Sequence, residues 1–254
     1  KYRRARKKRK KMWPYLLSFF LLVVLGSGIG VYLAKPSLFS GLQFWKAKKT
    51  AVTTPSSSKK KKEKSDLPAV STKDWQLILV NRDNVKPELN PQLTDVDAIK
   101  VDSRIVEPTR QFLEAARKIA PEETLISGYR SVAEQTELYN ERVAQLEASG
   151  LSHEEAEKQV QTQVQVPGAS EHQTGLAIDM SVEAGQSDEL GMQLAAIAPQ
   201  YGFVLRYPDG KSNITGVNFE NWHFRYVGVE NAQYMAKHQL VLEEYIQLLK
   251  KAGK

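Results

Sequence analysis

Gly168-Ala-Ser-Glu-His-Gln-Thr-Gly-Leu-Ala-Ile-Asp-Met-Ser181 passes from a polar turn at Gly175 into a strand-like apolar run, with His172 before the turn and Asp179 inside the run. A second stretch, Phe219-Glu-Asn-Trp-His-Phe-Arg-Tyr-Val-Gly228, adds His223 and, three residues before it, Glu220. Two imidazoles, one carboxylate and a spare glutamate match the needs of a catalytic zinc centre, which takes three protein ligands and keeps a fourth position open for water. Glu220 and His223 would point to opposite faces of an unbroken strand, because three is odd. A bend or bulge is therefore expected at Asn221–Trp222, as sheets often carry beside active sites.

Outward from these stretches, the pattern mixes strands and helices. Trp75-Gln-Leu-Ile-Leu-Val80 predicts a short strand closed by the turn-rich Asn81-Arg-Asp-Asn84. Phe112, Leu113, Ala116 and Ile119 fall at helical spacing and predict a helix over 106–119, with Pro108 tolerable in its first turn. Thr124–Ser127 reads as a strand. Ser131 and Glu134 form a capping box opening a helix with Leu138, Val143 and Leu146 along one side. Ser152 and Glu155 repeat the device for a helix reaching Val164. Strands are expected over 176–180, 203–207 and 219–227, and helices over 190–198 and in segments from 230 to 251. No regular βαβ rhythm appears, which predicts an α+β fold with a small antiparallel sheet and flanking helices.

The formal charge of +7 suggests a basic protein, but the charge is segregated. Of the 36 basic and 29 acidic side chains, 18 and 1 fall in residues 1–64, giving +17, which leaves 18 and 28, or −10, for the remainder. An acidic folded part argues against nucleic acid as a partner. Residues 1–11 carry nine positive charges, and Met12–Ala34 follows with 23 residues free of charge. At ~1.5 Å per residue that run makes roughly 35 Å of helix, enough to cross a ~30 Å hydrocarbon core. The basic cluster places the N-terminus in the cytoplasm. Gly26-Ser-Gly28 lies mid-span and makes a poor cleavage site, so an uncleaved signal anchor is expected rather than a removed signal peptide. Residues 35–73, with Thr53-Thr-Pro-Ser-Ser-Ser58 and the lysine run 59–62, read as a flexible linker. The folded domain is expected over 74–254.

Cysteine is absent, which removes disulfides, thiolate ligands and cysteine nucleophiles. The chain has four histidines. His153 falls in the first turn of a capped helix, and His238 at a helix end where an imidazolium suits the dipole, so neither is assigned to the metal. The expected ligands are His172, Asp179 and His223.

Ser127-Gly-Tyr-Arg-Ser131, Ser170-x-His172-x-x-Gly175-x-Ala177-x-Asp179 and Glu220-x-Trp222-His223 resemble the motifs of the VanY/LdcB family. These are zinc D,D- and L,D-carboxypeptidases that trim peptidoglycan stem peptides. The resemblance runs from about Trp75 to the C-terminus and points to the membrane-anchored LdcB-type enzymes of streptococci. It implies a hedgehog/D-Ala-D-Ala peptidase-like fold, a Zn2+ ion, and Glu220 as general base. Arg130, whose guanidinium suits a free C-terminal carboxylate, is implied as a substrate contact with Gln135 and Ser170. It further implies an extracytoplasmic enzyme of a Gram-positive cell, membrane-tethered, that releases C-terminal D-Ala. Likeness across the His172 stretch, 222–228 and Leu242-Glu-Glu-Tyr245 favours L,D-cleavage of a tetrapeptide. D,D-cleavage of a pentapeptide is the alternative, and an inactive wall-binding relative a second. Arg206 and Arg225 lie on strands near the site and could form structural pairs.

Overall fold

The computed structural model describes residues 66–254. The predicted tail 1–11, the predicted anchor 12–34 and the linker as far as residue 65 lie outside the described residues. Among the described residues, no helix is long and apolar enough to cross a membrane.

Leu93–Val96 (β1) and Ile99–Asp102 (β2) pair as a hairpin whose turn holds Asp97 at a φ of 49°. After the helix α1 (Val106–Ile119), Thr124–Ser127 (β3) opens the main sheet, followed by the helical pair α2 (Val132–Ala148) and α3 (His153–Val160). Then come β4 (Ala177–Ser181), α4 (Asp188–Ile197), β5 (Phe203–Tyr207), the short α5 (Ser212–Thr215) and β6 (Glu220–Tyr226). Two helices close the chain, α6 (Val229–His238) and α7 (Leu242–Lys251). The four main strands are antiparallel in the order β3-β4-β6-β5.

Strand alternation divides this sheet into two faces with different jobs. Leu125, Ile178, Met180, Phe203 and Phe224 share one face and bury against Phe112, Leu113 and Ala116 of α1 and Leu194 of α4. Phe112 is the centre of this layer, 5.3 Å from the Phe203 ring and 5.1 Å from the Phe224 ring, the latter edge-on. A buried side chain of that size contributes about 1.5–3 kcal/mol. The opposite face carries Asp179, His223, Arg225 and Arg206. Beside them, Val204 joins an apolar layer with Ala232 and Met235 of α6 and Leu242, Tyr245, Ile246 and Leu249 of α7. A third, smaller cluster packs Tyr139 and Val143 of α2 on Ala156 and Val160 of α3. Both helices of that pair start with a complete capping box, at Ser131/Glu134 and Ser152/Glu155, as expected.

Three expectations need correction. Residues 75–80 are not a strand: Trp75–Leu77 is a 3-10 turn, and the carbonyls of Gln76 and Ile78 accept from Arg225 Nη2 instead of from a neighbouring strand. Helix α3 stops at Val160, short of Val164. The Gln161 carbonyl accepts from Arg82 and the Thr162 carbonyl from the Asn218 amide, which diverts the groups that would extend the helix. The folded part also begins before Asp74: Leu67 is buried in the α6–α7 layer, and Thr72 Oγ1 donates to the Lys254 carbonyl at 3.1 Å. The β1–β2 hairpin is an element the sequence reading passed over.

Candidate metal centre

His172 sits in a 3-10 turn, Glu171–Thr174, that Gly175 ends in a left-handed conformation at a φ of 66°. A Cβ at Gly175 would come within 2.7 Å of the Asp102 amide, so both backbone sign and space call for glycine there. The ring is oriented by Nδ1, which lies 2.6 Å from the Gly128 carbonyl and donates to it. That leaves Nε2 as the free nitrogen, 3.4 Å from Asp179 Oδ2. Asp179 and His223 are directly opposed in the β4–β6 ladder, and Asp179 Oδ1 lies 2.9 Å from His223 Nδ1. The two imidazoles stand edge to face with centroids 4.9 Å apart.

One candidate ligand atom from each of His172, Asp179 and His223 falls within 4.8 Å of the others, and all three residues are buried. Donors around a tetrahedral zinc, each ~2.1 Å from it, are separated by roughly 3.4 Å. The 3.4 Å spacing from His172 to Asp179 matches that value, and the 2.9 Å spacing from Asp179 to His223 is shorter by about 0.5 Å. The electrostatics agree. Burial and the positive neighbours Arg130 and His223 hold His172 down to about 3, against the pull of Asp179. Burial acts to raise Asp179, but His172, His223 and Arg130 hold it at about 2. His223 is also disfavoured as a cation by burial, yet Asp179, Glu171 and Glu220 push it up to about 9. Two nitrogens and a carboxylate oxygen, a donor set suited to a divalent cation such as zinc, thus face one another in a buried group.

Glu220 arrives through the expected irregularity. Phe224 pairs with Leu205 and Glu220 with Tyr207, so β6 spends two more residues than β5 between those pairs. This bulge over Asn221–His223 turns Glu220 to the His223 side, with its Oε2 3.9 Å from His223 Nδ1. Asn221 anchors the bulge by donating to the Gln186 carbonyl at 3.2 Å and to Asp188 at 2.7 Å. Burial, with Asp179 nearby, raises Glu220 to about 8, a value that suits a proton acceptor working near neutrality.

Arg130 follows β3 and is held by two bonds, Nη1 to Gln135 Oε1 at 2.8 Å and Nη2 to Ser127 Oγ at 3.1 Å. Gln135 in turn donates to the Gln165 carbonyl at 2.6 Å and is 2 % exposed, so its amide is occupied in placing Arg130. Ser170 is buried at the head of the His172 turn. His153 and His238 pair with surface carboxylates, Glu147 and Asp66, away from the metal group.

Glu171 is the residue whose role the sequence did not disclose. Its Oε1 accepts from Arg206 Nε and from Arg225 Nη1, both at 2.8 Å. Although burial opposes ionisation, the two arginines hold this carboxyl far below its ordinary range, so it is no proton acceptor. Arg206 and Arg225 are thus structural pairs. Tyr207 was also unforeseen: it stands opposite Glu220 in the ladder, with its ring 5.0 Å from that of His223.

Comparison with known proteins comes to the same place. Residues 98–229 match the family model VanY, D-alanyl-D-alanine carboxypeptidase. The chain is 38% identical over 177 residues to a D-alanyl-D-alanine carboxypeptidase of Enterococcus faecalis, covering 68% of this chain and 66% of that protein, so it spans about two thirds of the relative's length. A solved structure of the vancomycin resistance D,D-pentapeptidase VanY, in complex with Zn(II), superposes with a TM-score of 0.64 at 38% identity, over 68% of this chain and 99% of that one. The LdcB LD-carboxypeptidase gives a TM-score of 0.57 at 30% identity, over 66% of this chain and 84% of that one.

Proposed function

Since the chain belongs to the VanY family of D-alanyl-D-alanine carboxypeptidases, we propose that it is a zinc carboxypeptidase that removes C-terminal D-Ala from peptidoglycan stem peptides. The observation that carries this reading is the convergence of His172, Asp179 and His223, with a raised Glu220 carboxyl beside them. Bound by those three residues, zinc supplies the Lewis acid that polarises a peptide carbonyl and makes water nucleophilic near neutral pH. The remaining steps belong to the chain. Arg130, fixed by Gln135 and Ser127, offers its guanidinium to the substrate's terminal carboxylate and so selects the last residue of a peptide. Glu220 accepts the proton of the attacking water at its carboxylate oxygen. It returns that proton to the amine as the C–N bond breaks.

Two bonds are open to this machinery, and the metal group does not choose between them. The L,D expectation leaned in part on Leu242-Glu-Glu-Tyr245, but Glu243 bonds to Arg206 and Tyr245 donates to Asn231. Those residues hold the fold together and carry no information about the substrate. Greater likeness to a D,D-pentapeptidase than to an LD-carboxypeptidase supports D,D-cleavage of a pentapeptide as the first reading, with L,D-cleavage of a tetrapeptide second. The uncharged run 12–34 behind the basic run 1–11 supports a membrane tether with the folded part outside the cell.

The test is a competition between defined pentapeptide and tetrapeptide stems, followed by mass spectrometry with zinc-loaded protein. D-Ala release with the larger kcat/KM on the pentapeptide, and tetrapeptide as end product, is expected. The reverse preference would establish the L,D activity. Release from neither stem would leave the wall-binding reading in its place.

A further inference from the structure

At the back of the metal group, two buried polar atoms face each other without a bond. Glu171 Oε2 and His223 Nε2 are 3.8 Å apart, and neither has a hydrogen-bond partner among the described residues. That distance is beyond a normal hydrogen bond, and a closure of about 1 Å would make one. Glu171 cannot find another donor cheaply. Its Oε1 already takes both arginines, and each guanidinium is engaged elsewhere: Arg206 with both oxygens of Glu243 at 2.9 and 2.6 Å, Arg225 with the carbonyls of Gln76 and Ile78 at 3.1 and 2.8 Å. A carboxylate 1 % exposed needs its lone pairs used. The donor that faces the unused oxygen is the imidazole.

We propose that Glu171 is a positioning residue for the metal centre: Oε2 accepts the Nε2–H of His223 and so fixes the tautomer whose Nδ1 lone pair faces the metal. The proposal rests on the zinc reading above and adds to it what decides which His223 nitrogen binds. A neutral imidazole has a single N–H, so an acceptor held against one nitrogen sends the lone pair to the other. His172 is arranged on the same logic with the nitrogens exchanged, its Nδ1 tied to the Gly128 carbonyl at 2.6 Å and its Nε2 facing Asp179. In each ring one nitrogen is thus turned to an acceptor outside the metal group, the Gly128 carbonyl or Glu171 Oε2, and the other faces Asp179. The arginines complete the device. With both of them on Oε1, the carboxylate is held rigid and ionised, and Oε2 is kept as an acceptor for the histidine alone.

The full-length chain labelled with 15N-histidine provides the test, since only four histidines need assigning. Glu171→Gln keeps the shape but has one oxygen, which the two arginines claim, and it turns an NH2 towards His223 Nε2. Donor and acceptor are then reversed, so Nε2 must carry the lone pair and Nδ1 the proton. Chelator competition should show zinc affinity lower by about 10–100-fold, the usual cost of losing a ligand's supporting partner. The long-range 1H–15N pattern of His223 should switch tautomer in the same sample, and Glu171→Asp, which retains the acceptor and the charge, should recover part of the affinity. A folded Glu171→Gln protein with wild-type zinc affinity and an unchanged His223 pattern would overturn the proposal. Should that variant not fold, the zinc-loaded wild type decides: a protonated, slowly exchanging Nε2 supports the assignment, and a bare Nε2 overturns it. Failure of the wild type to bind zinc at all is a separate result, and it removes the zinc reading itself.

Discussion

Glu220 separates binding from chemistry more cleanly than any other side chain in the site. Glu220→Gln keeps size and polarity but accepts no proton, so turnover should fall by at least ~10²-fold while bound zinc and KM stay near wild type. Wild-type turnover in that variant would move the base elsewhere, though not to Glu171, which Arg206 and Arg225 clamp. Glu123, immediately before β3 and outside the candidate metal group, tests the fold. Its two carboxylate oxygens are buried without partners among the described residues, and burial raises it from 4.5 to about 7, with Arg117 opposing only in part. A carboxyl with a raised folded-state pKa contributes stability below its unfolded value and loses it as pH rises through the folded one. Stability should therefore drop between about pH 4.5 and 7 by about 1–2 kcal/mol, after allowance for solvent screening. Glu123→Gln should flatten that drop; parallel melting curves from pH 5 to 8 in the two proteins would refute it. That His172, Asp179 and His223 would converge beside Glu220 was legible in the sequence because each lies in a short local motif. Glu171 was not, because its meaning depends on arginines 35 and 54 residues away.

At the scale of elements, the β6 bulge makes the site, and α4 holds the bulge. Gly191 of α4 lies so close that a Cβ there would meet the Asn221 carbonyl at 2.5 Å and the Asn221 Cβ at 2.6 Å. Those are contacts with backbone and a short side chain, which cannot swing away. Gly191→Ala should therefore push α4 off the bulge and destabilise the protein by about 1–3 kcal/mol, despite alanine's better helix propensity. Because Glu220 begins the bulge, kcat should fall further than a change in melting temperature explains. A more stable, fully active Gly191→Ala protein would show that the contact relaxes freely. The bulge itself was readable, since the parity of Glu220 and His223 demanded it. The hairpin β1–β2 was not, because its turn is Asp97–Ala98 rather than a glycine-containing pair and only Val96, Ile99, Val101 and Asp102 are buried. The failed strand at 75–80 shows the converse: an apolar run offers backbone carbonyls, and a buried guanidinium can take them as readily as a strand can.

For the whole molecule, the question is how the face bearing the metal group is joined to the C-terminal layer. Two kinds of attachment are present, apolar burial of Leu242, Tyr245, Ile246 and Leu249, and the ion pair of Glu243 with Arg206, which Asn81 extends at 3.0 Å. Magnitudes rank them. Four buried side chains at about 1.5–3 kcal/mol each come to the scale of a domain's whole stability of about 5–15 kcal/mol. A chain ending at residue 240 should therefore fail to fold, although α7 touches no candidate ligand. Glu243→Gln is the sharper probe, because it leaves the apolar contacts and removes one buried charge. Arg206 then keeps only Glu171 as a counter-ion, and breaking such a pair costs about 3–5 kcal/mol. The loss should not stay at α7. With Glu243 neutral, Arg206 is free to draw on both oxygens of Glu171, which competes with His223 Nε2 for Oε2. Zinc affinity measured by chelator competition should weaken together with denaturant stability, whereas Leu249→Ala, of similar stability cost by cavity formation, should lower stability and leave zinc affinity unchanged. Equal zinc affinity in both variants would mean that the charge network secures the C-terminal layer without reaching the metal group.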